Sequence, residues 1–393
     1  MKTAVAWNGT PLLTPLTGVG QYTLQIIRAL HQQALVDELE VFLAHEWRGV
    51  EALTQGPAQL TRERIPAMRL LQSPDLRKWL GLFPGMRALA RARQQAAFQE
   101  GLRSRTPDVY HEPNFVAFPF DGPTVVTVHD LSFIRHPHTH PRDRVRFMTQ
   151  GLGPSLQRAA RVVVVSDFVR SEVESVYGST IAQKTVVIHN GVAPEFQPLT
   201  AQASRAALEG LGLRHGHYLL ALGTLEPRKN LLALLEAYAL LPPALKQRFP
   251  LVLAGAFGWK TGAIARQLHA MRHEPVRALG FVDQATLPAL YSGARGFVYP
   301  STYEGFGLPV LEAMACGTPT LISQAPALQE VQAGAGLCAD SGHPEAFSQA
   351  LAQLLEDEPA RALWQHAGFM RAQALTWEAA AHRLAAVYRS VTA

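Results

Sequence analysis

Residues 299–323 read YPSTYEGFGLPVLEAMACGTPTLIS and set two carboxylates around a glycine-rich turn. Glu304 lies in the turn, and Glu312 lies inside the helix that the turn opens. The pattern predicts a short buried strand over 297–299 and a helix over 308–316, with Pro309 in its first turn, where a missing N–H costs nothing. Gly305 and Gly307 let the backbone approach a ligand closely. Free N–H groups at the helix start then face that ligand with a partial positive charge. The result is an anion cradle flanked by two acceptor-only carboxylates. It suits a molecule with both phosphate and vicinal hydroxyls, as a nucleotide-sugar has. Turns of this kind also occur in α/β proteins without a ligand, so the turn alone does not decide.

Three further clusters carry matching groups. Arg228 and Lys229, within GTLEPRKN, offer a planar fork and a point charge suited to a diphosphate. Such pairs are also common in solvated turns, so without the flanking Gly223 and Asn230 the pair alone would not point to a ligand. Gly18 and Gly20 lie in a loop before a helix, and no glycine stands where a dinucleotide fingerprint needs its third, which counts against a nicotinamide oxidoreductase. His129 and Asp130 end an apolar run in TVHDLSF. In RHPHTHP, residues His136, His138 and His140 would converge on zinc only along an extended strand. Pro137, Pro141 and the lack of a fourth ligand argue against it, so no metal is expected.

The elements that must position these groups alternate between strand and helix, which predicts parallel sheets with helices on both faces. Strands are expected at 3–7, 39–43, 109–111, 124–128, 162–165 and 185–188, with a glycine loop leading into a helix over 18–33 and another helix capped by Ser166 and Asp167. Two prolines in VAPEFQPLT break the alternation near residue 195. The pattern then restarts, with strands at 218–222, 251–254, 276–279, 297–299, 320–322 and 336–338, and ends in a helix with Trp377, Ala381, Leu384 and Tyr388 at helical spacing. This predicts two doubly wound, Rossmann-like α/β domains, 1–195 and 196–375, with a terminal helix over 376–393. Every candidate cluster falls at a strand C-terminus, where such domains bind ligands.

Together these segments resemble the retaining glycosyltransferases of family 4. The resemblance covers nearly the whole chain and rests on GVGQY, HDLSFIRHP, VVVVSDFVRSEV, IHNGV, GTLEPRKN, LVLAGAFGW, the Glu-x7-Glu block and the C-terminal WE-containing helix. It is strongest toward a bacterial branch that uses GDP-mannose to build O-antigen or exopolysaccharide. The resemblance implies a GT-B fold, with the last helix crossing back to an acceptor-binding first domain and the second domain holding the donor. It implies donor contacts at Gly18, Gly223, Glu304, Gly305, Phe306, Gly307, Leu308 and Glu312. Phe281 and Val282 would read the base through backbone groups, and His129 would touch the donor sugar. His129, Arg228, Lys229 and Glu304 are then the catalytic set, with Gly20 and Asp130 on the acceptor side. Glu304 would accept from sugar hydroxyls and Glu312 from the ribose, while Arg228 and Lys229 neutralise the leaving diphosphate in place of a metal ion. No cofactor is implied beyond the substrate nucleotide-sugar, and the acceptor is a glycan or a sugar on a polyprenyl diphosphate.

Composition fits this frame. The chain has 393 residues, 48% hydrophobic and 17% charged, enough for two α/β cores and unlike a disordered chain. Cys316 and Cys338 cannot form a disulfide framework, and both are expected as buried thiols in a reducing compartment. MKTAVAWNG is expected to be a first strand and not a signal peptide, and no run is long enough to cross a bilayer, which points to the cytoplasm. Ten Lys or Arg against three acids crowd residues 60–105, interleaved with Trp79, Leu82, Phe83 and Phe98. This reads either as a peripheral docking surface for anionic membrane or as a helical pair packed on its domain. No nucleic-acid motif accompanies it. A UDP-sugar donor, an epimerase or hydrolase of the same architecture, and a non-catalytic nucleotide-sugar-binding partner remain as alternatives.

Overall fold

In the computed structural model, which describes residues 3–13, 18–51, 84–259 and 261–392, two sheets are built one after the other along the chain. The first holds β1 (Ala4–Asn8), β2 (Glu38–Leu43), β3 (Glu46–Gly49), β4 (Val109–Glu112), β5 (Thr124–Val128), β6 (Arg161–Val164) and β7 (Thr185–Val187). Its order is β3-β2-β1-β4-β5-β6-β7. The second holds β8 (Leu219–Leu222), β9 (Leu251–Ala254), β10 (Val276–Gly280), β11 (Gly296–Tyr299), β12 (Thr320–Ile322) and β13 (Leu337–Cys338), ordered β10-β9-β8-β11-β12-β13. Both reverse direction beside their first strand, between β1 and β4 and between β8 and β11. Crevices open there at the strand C-termini.

The central strands are continuous apolar runs because helices cover both faces. β5 and β9 are buried at every residue. One element departs from the expected all-parallel pattern. β3 runs antiparallel to β2, pairing Glu46 with Leu43 and Gly49 with Glu40. A second departure concerns the thiols. Cys316 is buried, but Cys338 is exposed, because it ends the short edge strand β13.

The two halves are joined at two adjacent crossings. Val192 N–H donates to the Leu375 carbonyl at 3.0 Å, and a Cβ on Gly191 would lie 2.1 Å from the Trp377 nitrogen. The chain thus leaves the first half and returns to it side by side. Helix Trp377–Thr392 then packs along helix Gly18–Gln32 of the first half. Tyr388 is fixed there, its hydroxyl 2.5 Å from His111 Nδ1, while His111 Nε2 meets Thr127 Oγ1 at 2.8 Å.

Of the basic stretch 60–105, residues 60–83 lie outside the described ones. The remainder includes helix Pro84–Leu102, in which Phe98 is buried against Phe42 and Tyr110 while Leu89 is exposed. Among the described residues, no helix is long and apolar enough to cross a membrane.

Candidate active site

The turn after β11 and the loop after β8 meet in a closed charge cluster. Glu304 is buried, and its Oε1 accepts from Lys229 Nζ at 2.6 Å while its Oε2 faces Arg228 Nη1 at 3.0 Å. Arg228 Nη1 also donates to the Tyr303 carbonyl at 2.7 Å, and Nη2 donates to Glu226 Oε1 at 2.8 Å. Lys229 Nζ donates to the Tyr299 hydroxyl at 2.5 Å. Burial alone would raise the Glu304 carboxyl, yet Arg228 and Lys229 outweigh it and hold it at about 2. Burial opposes charge on both cations as well, and Glu304 is the largest influence that keeps each protonated. Gly223 has φ +146°, a conformation only glycine adopts readily, and this brings the loop start beside the Lys229 side chain.

The first half closes on this cluster. A Cβ on Gly305 would lie 1.7 Å from the His129 carbonyl oxygen, so only glycine fits. Ser166 Oγ donates to the Gly305 carbonyl at 2.6 Å. Leu131 N–H donates to the Tyr303 hydroxyl at 3.0 Å, and that hydroxyl reaches Glu172 at 3.2 Å. Asp130 accepts from the Ser132 amide at 2.8 Å. Burial pushes its carboxyl up, but the nearby Arg228 guanidinium and Ser132 bring it below the ordinary value. The His129 ring lies edge-on to Tyr22, with Nε2 at 2.8 Å from the Pro113 carbonyl, and burial lowers it to about 4. It is therefore neutral near pH 7, with Nε2–H donated to that carbonyl and Nδ1 left as an acceptor.

The other sequence-derived positions have separate surroundings. Glu312, in helix Leu308–Ala315, accepts from the Tyr291 hydroxyl at 2.8 Å, and burial raises it to about 7. The helix starts at Leu308 after Gly307, whose φ of +112° turns the chain beneath Leu328. Phe306 is buried. Gly18 opens helix Gly18–Gln32 with open space where a Cβ would sit, and Gly20 is buried in the first turn. Phe281 is 69% exposed after the Gly280 turn, with Val282 half-buried beside it.

Sequence reading did not single out Glu226, Tyr299, Tyr303 or Glu330. Glu330 binds three groups, its Oε1 accepting from His189 Nε2 at 2.7 Å and Asp167 N–H at 2.8 Å, and Oε2 from Phe168 N–H at 3.1 Å. Asp167, His189 and Glu330 cluster tightly enough to hold a metal ion, but Glu330 serves there as a cap on helix Asp167–Tyr177. Ser166 is the N-cap, accepting from Val169 N–H at 3.1 Å, and Asp167 is the first helical residue rather than a cap. The expected histidine series also resolves. His140 is buried and bonded to Ser132, while His136 packs on Tyr303.

This arrangement can grip a diphosphate from one side and polar hydroxyls from the other. Residues 16–196 match the family described as Glycosyltransferase Family 4, and residues 213–370 match Glycosyl transferases group 1. The chain is 36% identical over 369 residues to the O-antigen chain mannosyltransferase B of Escherichia coli, covering 94% of each. It is 31% identical to the serotype-specific mannosyltransferase WbdA of the same organism, across 60% of this chain and 31% of that one. The sucrose-phosphate synthase structure from Thermosynechococcus elongatus superposes with a TM-score of 0.73 at 23% identity, covering 99% of both chains. The chain belongs to the glycosyltransferases of family 4 and has their two-sheet GT-B fold.

Proposed function

We propose that this enzyme transfers mannose from GDP-mannose, with retention of configuration and without a metal ion, to a glycan or polyprenyl-diphosphate-linked acceptor in O-antigen or exopolysaccharide assembly. The observation that carries the reading is the meeting of Arg228, Lys229 and Glu304 against the strand ends of the first half. Mannose and the O-antigen pathway are supported by the mannosyltransferase relative that matches 94% of the chain. The basic stretch 60–105 supports a peripheral position on the cytoplasmic membrane face, where a lipid-linked acceptor would be met.

In this reading Arg228 and Lys229 take the diphosphate, and the amides of Phe306, Gly307 and Leu308 hold sugar and phosphate. Glu304 accepts from the sugar hydroxyls, and neutral His129 offers an acceptor nitrogen on the opposite side. The bond from C1 to the phosphate oxygen breaks while the acceptor oxygen bonds to C1 on the same face. The acceptor proton passes to the departing diphosphate. Guanidinium and ammonium stabilise the charge that grows there, which is where preorganised groups accelerate most.

A thermal-shift screen against GDP, UDP, ADP and their sugar conjugates tests the donor. Selective stabilisation by GDP-mannose is expected, and a response to UDP compounds alone refutes that donor. Labelled transfer should persist in chelator, and Glu304→Ala should lower it by about 100-fold or more. Release of free mannose or an epimer without acceptor would instead favour a hydrolase or epimerase.

A further inference from the structure

The cationic pair faces more negative charge than it balances. Arg228 and Lys229 are surrounded by Glu226, Glu304 and Asp130, and the buried Arg228 Nε has no partner. The two glutamates differ in kind. Glu226 lies on the Arg228 loop itself, only 3% exposed, with its carbonyl accepting from Lys229 N–H at 3.1 Å. Its carboxylate holds Nη2 at 2.8 Å. Glu304 arrives from the facing turn and divides its oxygens between Arg228 Nη1 and Lys229 Nζ. Those are two nitrogens that a bridging diphosphate would also need.

We propose that Glu304 occupies the diphosphate's place on Arg228 and Lys229 until the nucleotide displaces it, whereas Glu226 is the fixed counter-ion that positions Arg228 throughout. The inference rests on the donor-site reading above. Displacement does two things at once. It gives the cations to the diphosphate, and it frees the Glu304 oxygens for sugar hydroxyls. Binding of one end of the donor thereby prepares recognition of the other. Glu226 cannot make the same exchange without releasing the guanidinium that the diphosphate needs, since it holds the far nitrogen of the same fork.

Calorimetric binding of GDP to the intact wild type and to Glu304→Gln, Glu226→Gln and Glu226→Asp tests this. Net charge alone makes both glutamine variants bind the anion more tightly, because each removes one negative charge. Partner exchange gives opposite signs. Glu304→Gln should bind GDP about 3- to 10-fold more tightly, since a competing anion is gone, yet transfer mannose poorly. Glu226→Gln should bind it about 3- to 10-fold more weakly, because the guanidinium loses its anchor. Glu226→Asp keeps the charge, shortens the reach by one methylene and should also weaken binding, which separates position from charge should the glutamine variant fold poorly. Shifts of one sign in the two glutamine variants, or unchanged affinity in Glu226→Asp, overturn the inference and leave the donor reading intact. A folded wild type that binds no nucleoside diphosphate overturns both.

Discussion

At the residue scale, the two glutamates of the Glu-x7-Glu block have opposite electrostatic characters. Glu304 sits among cations and is ionised at any working pH, whereas Glu312 is raised by burial from 4.5 to about 7, with Glu195 adding to the shift and the Tyr291 hydroxyl opposing it. The folded protein therefore keeps a proton on Glu312 that the unfolded chain has released, so this group's contribution to stability falls as pH climbs from 4.5 to about 7. If the ribose hydroxyls need the carboxylate, nucleotide binding moves the other way and strengthens about tenfold between about pH 6 and about pH 8. The terminal phosphate of the nucleotide titrates in the same window, so Glu312→Gln supplies the baseline. The difference between wild type and variant should show the rise. His129 is already neutral there and adds nothing to it. Parallel pH curves for both proteins would remove Glu312 from the nucleotide site. The sequence placed Glu304 in the turn after a strand and Glu312 in the helix that follows, but their contrast was not legible in it. It depends on the burial of Glu312 and on Arg228 and Lys229 beside Glu304, surroundings that exist only after folding.

At the element scale, what could be read in advance were runs of apolar residues, and what could not were short elements with polar composition. TVVTV and LVLA are strands that almost any burial on two faces would produce. EWRG became an antiparallel edge strand although half its residues are charged, because it needs only one neighbour and water on its other side. Cys338 was misjudged for a related reason, since an edge strand leaves apolar-looking residues exposed. Ser166 shows how a readable cap acquires an unreadable second duty. Its hydroxyl oxygen accepts from Val169 N–H while its proton goes to the Gly305 carbonyl in the other half. Ser166→Ala removes both bonds and should cost about 1–2 kcal/mol in chemical denaturation, near the upper end for a cap. Ser166→Thr keeps the chemistry and should recover most of that. A loss well below that range would mean that the contact to Gly305 adds nothing.

At the scale of the whole molecule, the halves are held closed by contacts that lie on both sides of the charge cluster. Tyr303 meets Leu131 and Glu172, Trp259 Nε1 donates to the Thr139 carbonyl, and Glu330 caps helix Asp167–Tyr177 while binding His189 next to the crossing at Gly191. Of these, Glu330 is best placed to control opening. It belongs to helix Pro326–Gln332 of the second half, yet its carboxylate accepts from the Asp167 and Phe168 amides of the first half and from His189 of the connecting segment. Opening the cleft would leave two amides of a helix start and one imidazole without their acceptor. Glu330→Ala makes that loss permanent while leaving the charge cluster untouched. The variant should show a larger radius of gyration in solution scattering and a donor KM raised about 3- to 10-fold, because closure must now be driven by the donor alone. Saturating donor nucleotide-sugar should restore the compact radius, and turnover at saturation should fall less than kcat/KM. Glu330→Gln, which keeps one of the two acceptor oxygens, should lie between the two. If scattering and KM are unchanged in the alanine variant, the cap is only local, and closure depends on Tyr303 and Trp259 instead.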